Sequence, residues 1–307
     1  MSALTSTDEA LHAFAADVGD ADPIAVEGGG TRWQTGGVLH ASARLVSAPV
    51  GIVDYRPEEM VIPVRAGTPV AELHAVLSGA GQRSALPDRG GTVGGAVAVG
   101  ENRLDLLGRG SVRDAVLQVR YVSAEGDVVT GGGPVVKNVS GFNVPKLMAG
   151  SLGTLGLIAE VVLRTNPTPP ASRWLRAADV DPVAARNAVL RPSSVLWNGS
   201  STWMLLEGHE QDLEYEATAL SSIGEFAEVE GPPDLPPYRW SLPPADAAAL
   251  HRETVGDFVA TIGVGTVHAD TAPPKRELDP GIAVVAERMK MLFDPKGRLN
   301  PGRSPQT

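Results

Sequence analysis

The chain has 307 residues, with 35 Gly, 25 Pro, no Cys and a formal net charge of −10. The missing cysteine excludes a disulfide framework, a Cys-ligated iron–sulfur cluster, a Cys-built zinc site, a thiol nucleophile and a cofactor tethered through sulfur. The acidic balance, with only five Trp, four Tyr and five Phe, argues against a nucleic-acid binder, which needs a basic face and stacking platforms. An apolar content of 43% is that of a globular chain, so the Gly and Pro excess does not signal disorder. No apolar run approaches the roughly 20 residues of a membrane-spanning helix. The segment Met1–Glu9 has neither the basic cluster nor the apolar stretch of a secretory signal, and the expected localisation is cytoplasmic.

In chain order, Asp8 to Val18 reads as a helix capped by Asp8, with Leu11, Phe14 and Val18 on one face. A first glycine loop follows at Gly28-Gly29-Gly30-Thr31. Met60 to Arg65 reads as a strand that Pro63 assigns to a sheet edge. Pro69 to Leu77 reads as a helix with Pro in its first turn and Gly79 or Gly81 past its end. Gly90 to Gly95 is a second glycine loop, opening a helix of small residues from Ala96 to Val99. Ala115–Ser123 and Val128–Thr130 form a hairpin around Glu125-Gly126-Asp127, and Gly156 to Thr165 reads as another strand. Asn166-Pro167-Thr168-Pro169-Pro170 is a linker signal, and it sets a domain boundary near residue 168. From there to about residue 275 the pattern is least readable, with Trp197, Trp203 and Trp240 expected in a core or a subunit interface. A last helix should begin just after Pro280-Gly281 and pack Ile282, Val285, Met289 and Leu292 inward. Strands and helices mix without regular βα alternation, so the fold class is α+β.

The glycines cluster. Gly28–Gly30, Gly90–Gly95, Gly108–Gly110, Gly131–Gly133 and Gly150–Gly156 all lie before residue 157. Consecutive glycines let backbone N–H groups converge on an anion, and a glycine-rich turn that opens a helix adds further donors. Two such loops about 60 residues apart could hold a diphosphate between them. A single one would more often be a plain turn. No Gly-x4-Gly-Lys-Ser/Thr run is present, nor a Gly-x-Gly-x-x-Gly with an acidic residue some 20 positions on, which excludes the P-loop and Rossmann solutions.

Taken together, the motifs resemble flavoproteins of the vanillyl-alcohol oxidase superfamily, whose FAD-binding domain is called PCMH-type, and within it the FAD-binding subunits of glycolate oxidases. The matching stretches are residues 28–31, Val64–Leu73, 90–95, Gly110–Asp114, Val136–Asn143, Leu147–Glu160, Trp240–Pro244 and Phe293–Arg303. The resemblance implies a PCMH-type domain of two α+β subdomains over 1–168. It further implies a smaller α+β cap-like domain over 169–275 and a C-terminal helix and tail over 276–307 that returns to the flavin. It places Gly28, Gly29, Gly30 and Thr31 at the diphosphate, and Pro87, Gly91, Thr92, Gly94 and Gly95 along the diphosphate, ribityl and flavin edge. Ser111, Val112 and Asp114 would lie near the diphosphate or ribose, and Gly153, Thr154, Gly156 and Ile158 near the adenosine end. Asn300 would lie near the isoalloxazine. Many members attach the flavin to a histidine in the first loop. Thr31 and Arg32 stand here instead, so FAD is expected to be non-covalent. The family's Lys-Asn-Val-Ala-Gly-Tyr-Asp becomes Lys137-Asn138-Val139-Ser140-Gly141-Phe142-Asn143, which removes a phenol and a carboxylate that could move protons.

Six scattered histidines offer no metal-ligating pair, so no metal and no catalytic residue is assigned. Arg109, Arg113 and Lys137, beside the loop motifs, are candidates for a substrate carboxylate, as is His268 at the end of an alternating stretch. The expected function is an FAD-binding subunit of a glycolate or other 2-hydroxy-acid dehydrogenase complex. Its partners would be a larger flavin subunit and an iron–sulfur subunit, with any membrane association made through them. A stand-alone small flavin oxidoreductase and a flavin-free scaffold are the alternatives.

Overall fold

The computed structural model describes residues 2–134, 143–273 and 279–305. The chain divides into two compact units. One comprises Met1–Arg103, Ser111–Pro167 and Arg276–Thr307, the other Leu104–Gly110 and Thr168–Lys275. The expected α+β mixture of helices and sheets is what forms. Residues 104–110, which the sequence reading put in the first domain, group with the second unit.

In the first unit, helix α1 (Ser2–Val18) begins six residues before the expected cap at Asp8. The reason is in the sequence: Leu4 stands two turns before Leu11, so the apolar spacing continues upstream. Leu11, Phe14 and Val18 are buried as expected. Strands β1 (Ile24–Val26) and β2 (Arg44–Val46) form a parallel pair. Strands β3 (Val61–Arg65), β4 (Gln82–Arg83), β5 (Val116–Val122), β6 (Val128–Gly132), β7 (Leu157–Arg164) and β8 (Asn166–Pro167) follow. Four of them make an antiparallel sheet in the order β3-β7-β5-β6, and β4 pairs with β8. Pro63 does lie on the edge strand β3, and its carbonyl accepts from Val53 N on the side away from β7, so its missing N–H costs no ladder bond to β7. β7 is central and buried from Leu157 to Leu163. Its one charged buried residue, Glu160, is opposite Arg65 on one side and Arg120 on the other. Helices α2 (Val70–Gly79) and α3 (Val93–Val99) contribute Leu73, Leu77, Val93 and Val97 to the same core.

The C-terminal segment is bound into this unit by polar contacts. Leu299 bridges to Ile24 beside β1, with Ile24 N donating to Arg298 O and Asn300 N to Ile24 O, each at 2.8 Å. The buried Arg298 guanidinium donates to the carbonyls of Val18, Gly19, Asp22 and Ala124. It thereby satisfies carbonyls at the open end of α1, which no intrahelical N–H can reach. Buried Asp294 accepts from the N–H groups of Arg298 and Leu299 and from Lys290 Nζ.

The helix Pro280–Phe293 forms where expected, capped by Asp279, but it is turned the other way. Ile282, Val285 and Leu292 are 55%, 60% and 75% exposed rather than packed inward. Ala283, Ala286, Met289, Lys290 and Phe293 form the half-buried side instead, so Met289 alone of the four expected residues lies on it. The rotation is set by Lys290, whose ammonium donates to Thr154 O and Leu299 O, and by Phe293, which packs on the core.

In the second unit, strands β9 (Ala171–Ala178), β10 (Ser194–Trp197), β11 (Ser201–Gly208), β12 (Ala227–Val229), β13 (Tyr238–Ser241), β14 (Phe258–Thr261) and β15 (Thr266–Ala269) make one antiparallel sheet. Their order is β12-β9-β11-β10-β14-β15-β13. Helices Pro182–Ala188 and Glu210–Ser221 cover one face, where Leu175, Met204, Leu206, Leu213, Leu220 and Phe258 form the core. Trp203, Leu196 and Val259 cluster on the opposite face with Trp174 and Leu104 beside them. Trp203 and Trp240 are packing residues, the latter donating its indole N–H to Thr271 O at 2.8 Å. Leu107 joins this unit's core, and Gly108 N reaches Ser193 O, which is why the 104–110 segment belongs here. No helix of the described residues is long and apolar enough to cross a membrane.

Candidate functional site

The first unit contains an open cavity of about 880 Å³, counting the space that is open to solvent. One wall is the first glycine loop, Gly28, Gly29, Gly30 and Thr31, and the facing wall is Gly91, Thr92, Gly94 and Gly95. Ala66, Ala98, Val99, Leu152, Gly153, Leu157 and Ile158 form the apolar floor, and Asn300 and Arg303 close the side. Eleven of the residues singled out from sequence therefore line one cavity.

The glycines are required by the approach of the two loops. A Cβ on Gly29 would lie 2.7 Å from Gly91 Cα, which is backbone and cannot yield cheaply. A Cβ on Gly91 would lie 2.7 Å from Thr31 Oγ1, and Gly91 already has a φ of 78°. The backbone N–H groups of Gly28, Gly29, Gly30 and Thr31 have no hydrogen-bond partner among the described residues, while Glu27 N is bonded to Val46 O at 2.9 Å. This is the open donor array expected of an anion nest.

The second loop differs from the expectation. Helix α3 does follow it, with Thr92 as its cap accepting from Gly95 N at 3.2 Å. Yet Val93 N donates to Thr68 O and Gly94 N to Ala66 O, at 2.9 and 2.7 Å. These amides, which the sequence reading aimed at an anion, are used to dock the helix on the backbone of residues 66–68. The seven-residue helix acts as a closely fitted wall and the first loop supplies the free donors.

Asn300, with a φ of 43°, donates its side-chain N–H to Leu152 O at 2.8 Å. This bond ties the C-terminal segment to the Gly150–Gly153 turn. Arg303 lies 5.0 Å over the Trp33 ring and donates to Thr35 O and Gly37 O. Burial pulls its guanidinium pKa below the ordinary value. Arg32 reaches from the first loop to Gly90 O at 3.5 Å and to Glu101 at 3.1 Å. Among the described residues the cavity lining thus carries two arginines and no Asp or Glu, in a chain of net charge −10. Such a site favours an anion.

Other expected residues lie outside the lining. Pro87 and Val112 are buried, and Gly156 is a packing glycine against the Tyr121 ring. Thr154 donates to Ser151 O at 2.7 Å. Ser111 caps the short helix Val112–Ala115, accepting from Asp114 N and donating to the Asp114 carboxylate. Asp114 pairs with Lys146 at 2.6 Å, and the hydrogen bonds from Lys146 and Ser111 hold its carboxyl below the usual range.

Among the substrate candidates, Arg113 donates to Lys146 O, and Lys137 lies outside the described residues, as does its motif except Asn143, which caps Val144–Met148. Arg109, paired with Asp105 at 2.7 Å, and buried His268 on β15 belong to the second unit. The cations that do reach the cavity, Arg32 and Arg303, were not selected from sequence. The available signal was adjacency: one follows the first glycine loop and the other closes the Asn300–Arg303 motif. Among the described residues no three His, Asp or Glu side chains come together as a metal site.

Residues 3–132 match a protein family described as an FAD binding domain. The chain carries an FAD binding domain. Beyond that domain, the chain is 28% identical to glycolate oxidase subunit GlcE of Escherichia coli over 93% of both chains. It is 30% identical to D-2-hydroxyglutarate dehydrogenase of Xanthomonas citri over 50% of this chain and 34% of that one. It is 35% identical to glycolate oxidase subunit GlcD of Bacillus subtilis over 28% of this chain and 18% of that one. Among solved structures, alkyldihydroxyacetonephosphate synthase superposes with a TM-score of 0.65 at 15% identity, covering 91% of this chain and 71% of that one, a likeness of fold. The FAD binding domain contains both cavity loops, Gly28–Thr31 and Gly91–Gly95. Gly153, Asn300 and Arg303 come from outside the matched residues.

Proposed function

We propose that this chain is the FAD-binding subunit of a multi-subunit 2-hydroxy-acid dehydrogenase of the glycolate-oxidising kind. The observation that carries the reading is the cavity of the FAD binding domain, whose open amides and arginines suit a dinucleotide diphosphate. The glycine cradle, filled if either Gly29 or Gly91 bore a Cβ, fits a phosphate held against backbone. Gly28, Gly29, Gly30 and Thr31 would hold the diphosphate, and Gly91, Gly95, Ile158 and Asn300 the remainder of the cofactor. No histidine or cysteine lies in the lining, which supports a non-covalent FAD. When bound, FAD supplies the two-electron acceptor for oxidation of a 2-hydroxy acid. The chain's own part is to bind and orient it and to keep water from the apolar floor formed by Ala98, Val99 and Leu157.

The subunit reading is supported by the relatives named as subunits GlcE and GlcD. The 307 residues contain no cysteine, so a Cys-ligated iron–sulfur cluster in the electron path would be held outside them, in keeping with an iron–sulfur partner subunit. Substrate oxidation is assigned to a larger flavin subunit, because among the described lining residues there is no Asp, Glu or His to serve as an acid–base group, and the two arginines are given to the cofactor diphosphate. The complex would work in the cytoplasm and meet a membrane only through its partners.

The test is reconstitution of purified chain with FAD. Flavin absorbance bands that stay with the protein through desalting are expected. Glycolate should bleach them only when the partner subunits are present. A chain that retains no flavin overturns the reading, and bleaching by glycolate in the isolated chain would make it a stand-alone oxidoreductase.

A further inference from the structure

We infer that Arg32 is a diphosphate-binding residue of the cavity and that Glu101 is the residue that positions it. The inference rests on the FAD reading above and names a side chain that neither glycine motif includes. The Arg32 side chain is only 11% exposed, although it follows an exposed loop. Its Nε donates to Glu101 Oε2 at 3.1 Å, and its Nη1 to Thr31 Oγ1 at 3.2 Å and Gly90 O at 3.5 Å. Its Nη2 is buried and has no hydrogen-bond partner. A buried guanidinium nitrogen without a partner is costly, and its persistence calls for an acceptor that the chain does not itself supply.

The surroundings say what that acceptor is. Arg32 lines the cavity beside the open amides of Gly28 to Thr31 and spans to Gly90 on the facing loop. Glu101 is the fixed partner: Oε2 accepts from Arg32 and Oε1 from Arg89 Nη1 at 2.6 Å, so one carboxylate is matched by two guanidinium groups. The trio keeps one net positive charge, and the carboxylate lies outside the cavity lining. A planar guanidinium anchored through Nε and Nη1, with Nη2 free, is arranged to donate to a phosphate oxygen.

The experiment is a titration of the full chain with FAD, followed by flavin fluorescence at several salt concentrations, with riboflavin, which lacks phosphate, as a second ligand. Arg32→Ala should weaken FAD at least tenfold, flatten the salt dependence of its Kd and leave riboflavin affinity unchanged. Arg32→Lys should fall between wild type and Arg32→Ala, since it keeps the charge and loses the fork. Glu101→Gln should weaken FAD about threefold in the wild type and have no effect in the Arg32→Ala background, because its role passes through Arg32. Arg32→Ala within twofold of wild type, or equal losses of FAD and riboflavin, would overturn the inference. If Arg32→Ala does not fold, a wild-type FAD affinity insensitive to salt, or an Arg32→Lys indistinguishable from wild type in both affinity and salt dependence, overturns it. A wild type that takes up no FAD sinks the functional reading itself.

Discussion

In the first unit, backbone is the working surface, while in the second it is side chain. Gly29 and Gly91 approach so closely that neither tolerates a Cβ, and the four successive amides from Gly28 to Thr31 have no hydrogen-bond partner among the described residues. In the second unit, glycines such as Gly199 and Gly263 serve turns at positive φ, and the sheet is held by large buried side chains such as Phe258 and Met204. Both units have a full hydrophobic core. The difference is that one leaves hydrogen-bonding capacity and close backbone contacts in a cavity, which has no value for stability alone. It teaches that a glycine excess is informative only once it is known which glycines meet each other.

That contrast can be broken by mutation. The largest expected effect is Phe258→Ala, which removes a side chain 1% exposed and packed edge-on against Trp197. It should cost about 3–5 kcal/mol in chemical denaturation, with FAD affinity below the unfolding transition changed less than about twofold (roughly 0.4 kcal/mol). A large loss of FAD binding there would show that the division of labour between the units is wrong. Arg298→Ala should cost about 3 kcal/mol, since it strands four carbonyls. Unlike Phe258→Ala, it should also weaken FAD, because the bonds around Asp294 and Arg298 set the path of Leu299 and Asn300.

Gly29→Ala sharpens the same contrast at the level of one carbon. FAD affinity should fall about 100-fold, roughly 2.7 kcal/mol, whereas Gly231→Ala, with nothing within 4 Å of the new Cβ, should stay within about 0.5 kcal/mol of wild type in both stability and binding. Equal behaviour of the two variants would remove the case for a backbone cradle. The smallest effect belongs to Asp114. Its folded pKa is lowered by Lys146 and Ser111, so its contribution to stability is complete above the ordinary carboxylate pKa and is lost as pH falls through the lowered value. Asp114→Asn should therefore lower Tm by no more than about 2 °C at pH 7. That difference should vanish once the medium protonates Asp114 in both states.

The elements of the first unit were largely legible because local rules govern them. Apolar spacing gave α1 its buried stripe, Pro63 marked β3 as an edge, and Glu125-Gly126-Asp127 marked the β5–β6 hairpin. Legibility failed where a distant partner decides. The helix Pro280–Phe293 has the periodicity of an inward stripe at Ile282, Val285 and Leu292, but Lys290 and Phe293 fix its rotation through residues more than 130 positions away. The amides of Val93 and Gly94 looked free from sequence and are taken by Thr68 and Ala66.

By itself, then, the sequence determined the α+β class, the two glycine loops and their motif order, and the absence of any cysteine chemistry, because each depends on residue type and near spacing. Only the tertiary structure decided that Gly29 faces Gly91, that segment 104–110 belongs to the second unit, and that Arg32 and Arg303 rather than Arg109 or Arg113 are the cavity's cations. The physical reason is that a long, flexible arginine side chain takes its direction from its partners. Those partners, Glu101 for Arg32 and the Trp33 ring for Arg303, are brought within reach by the fold and not by the chain.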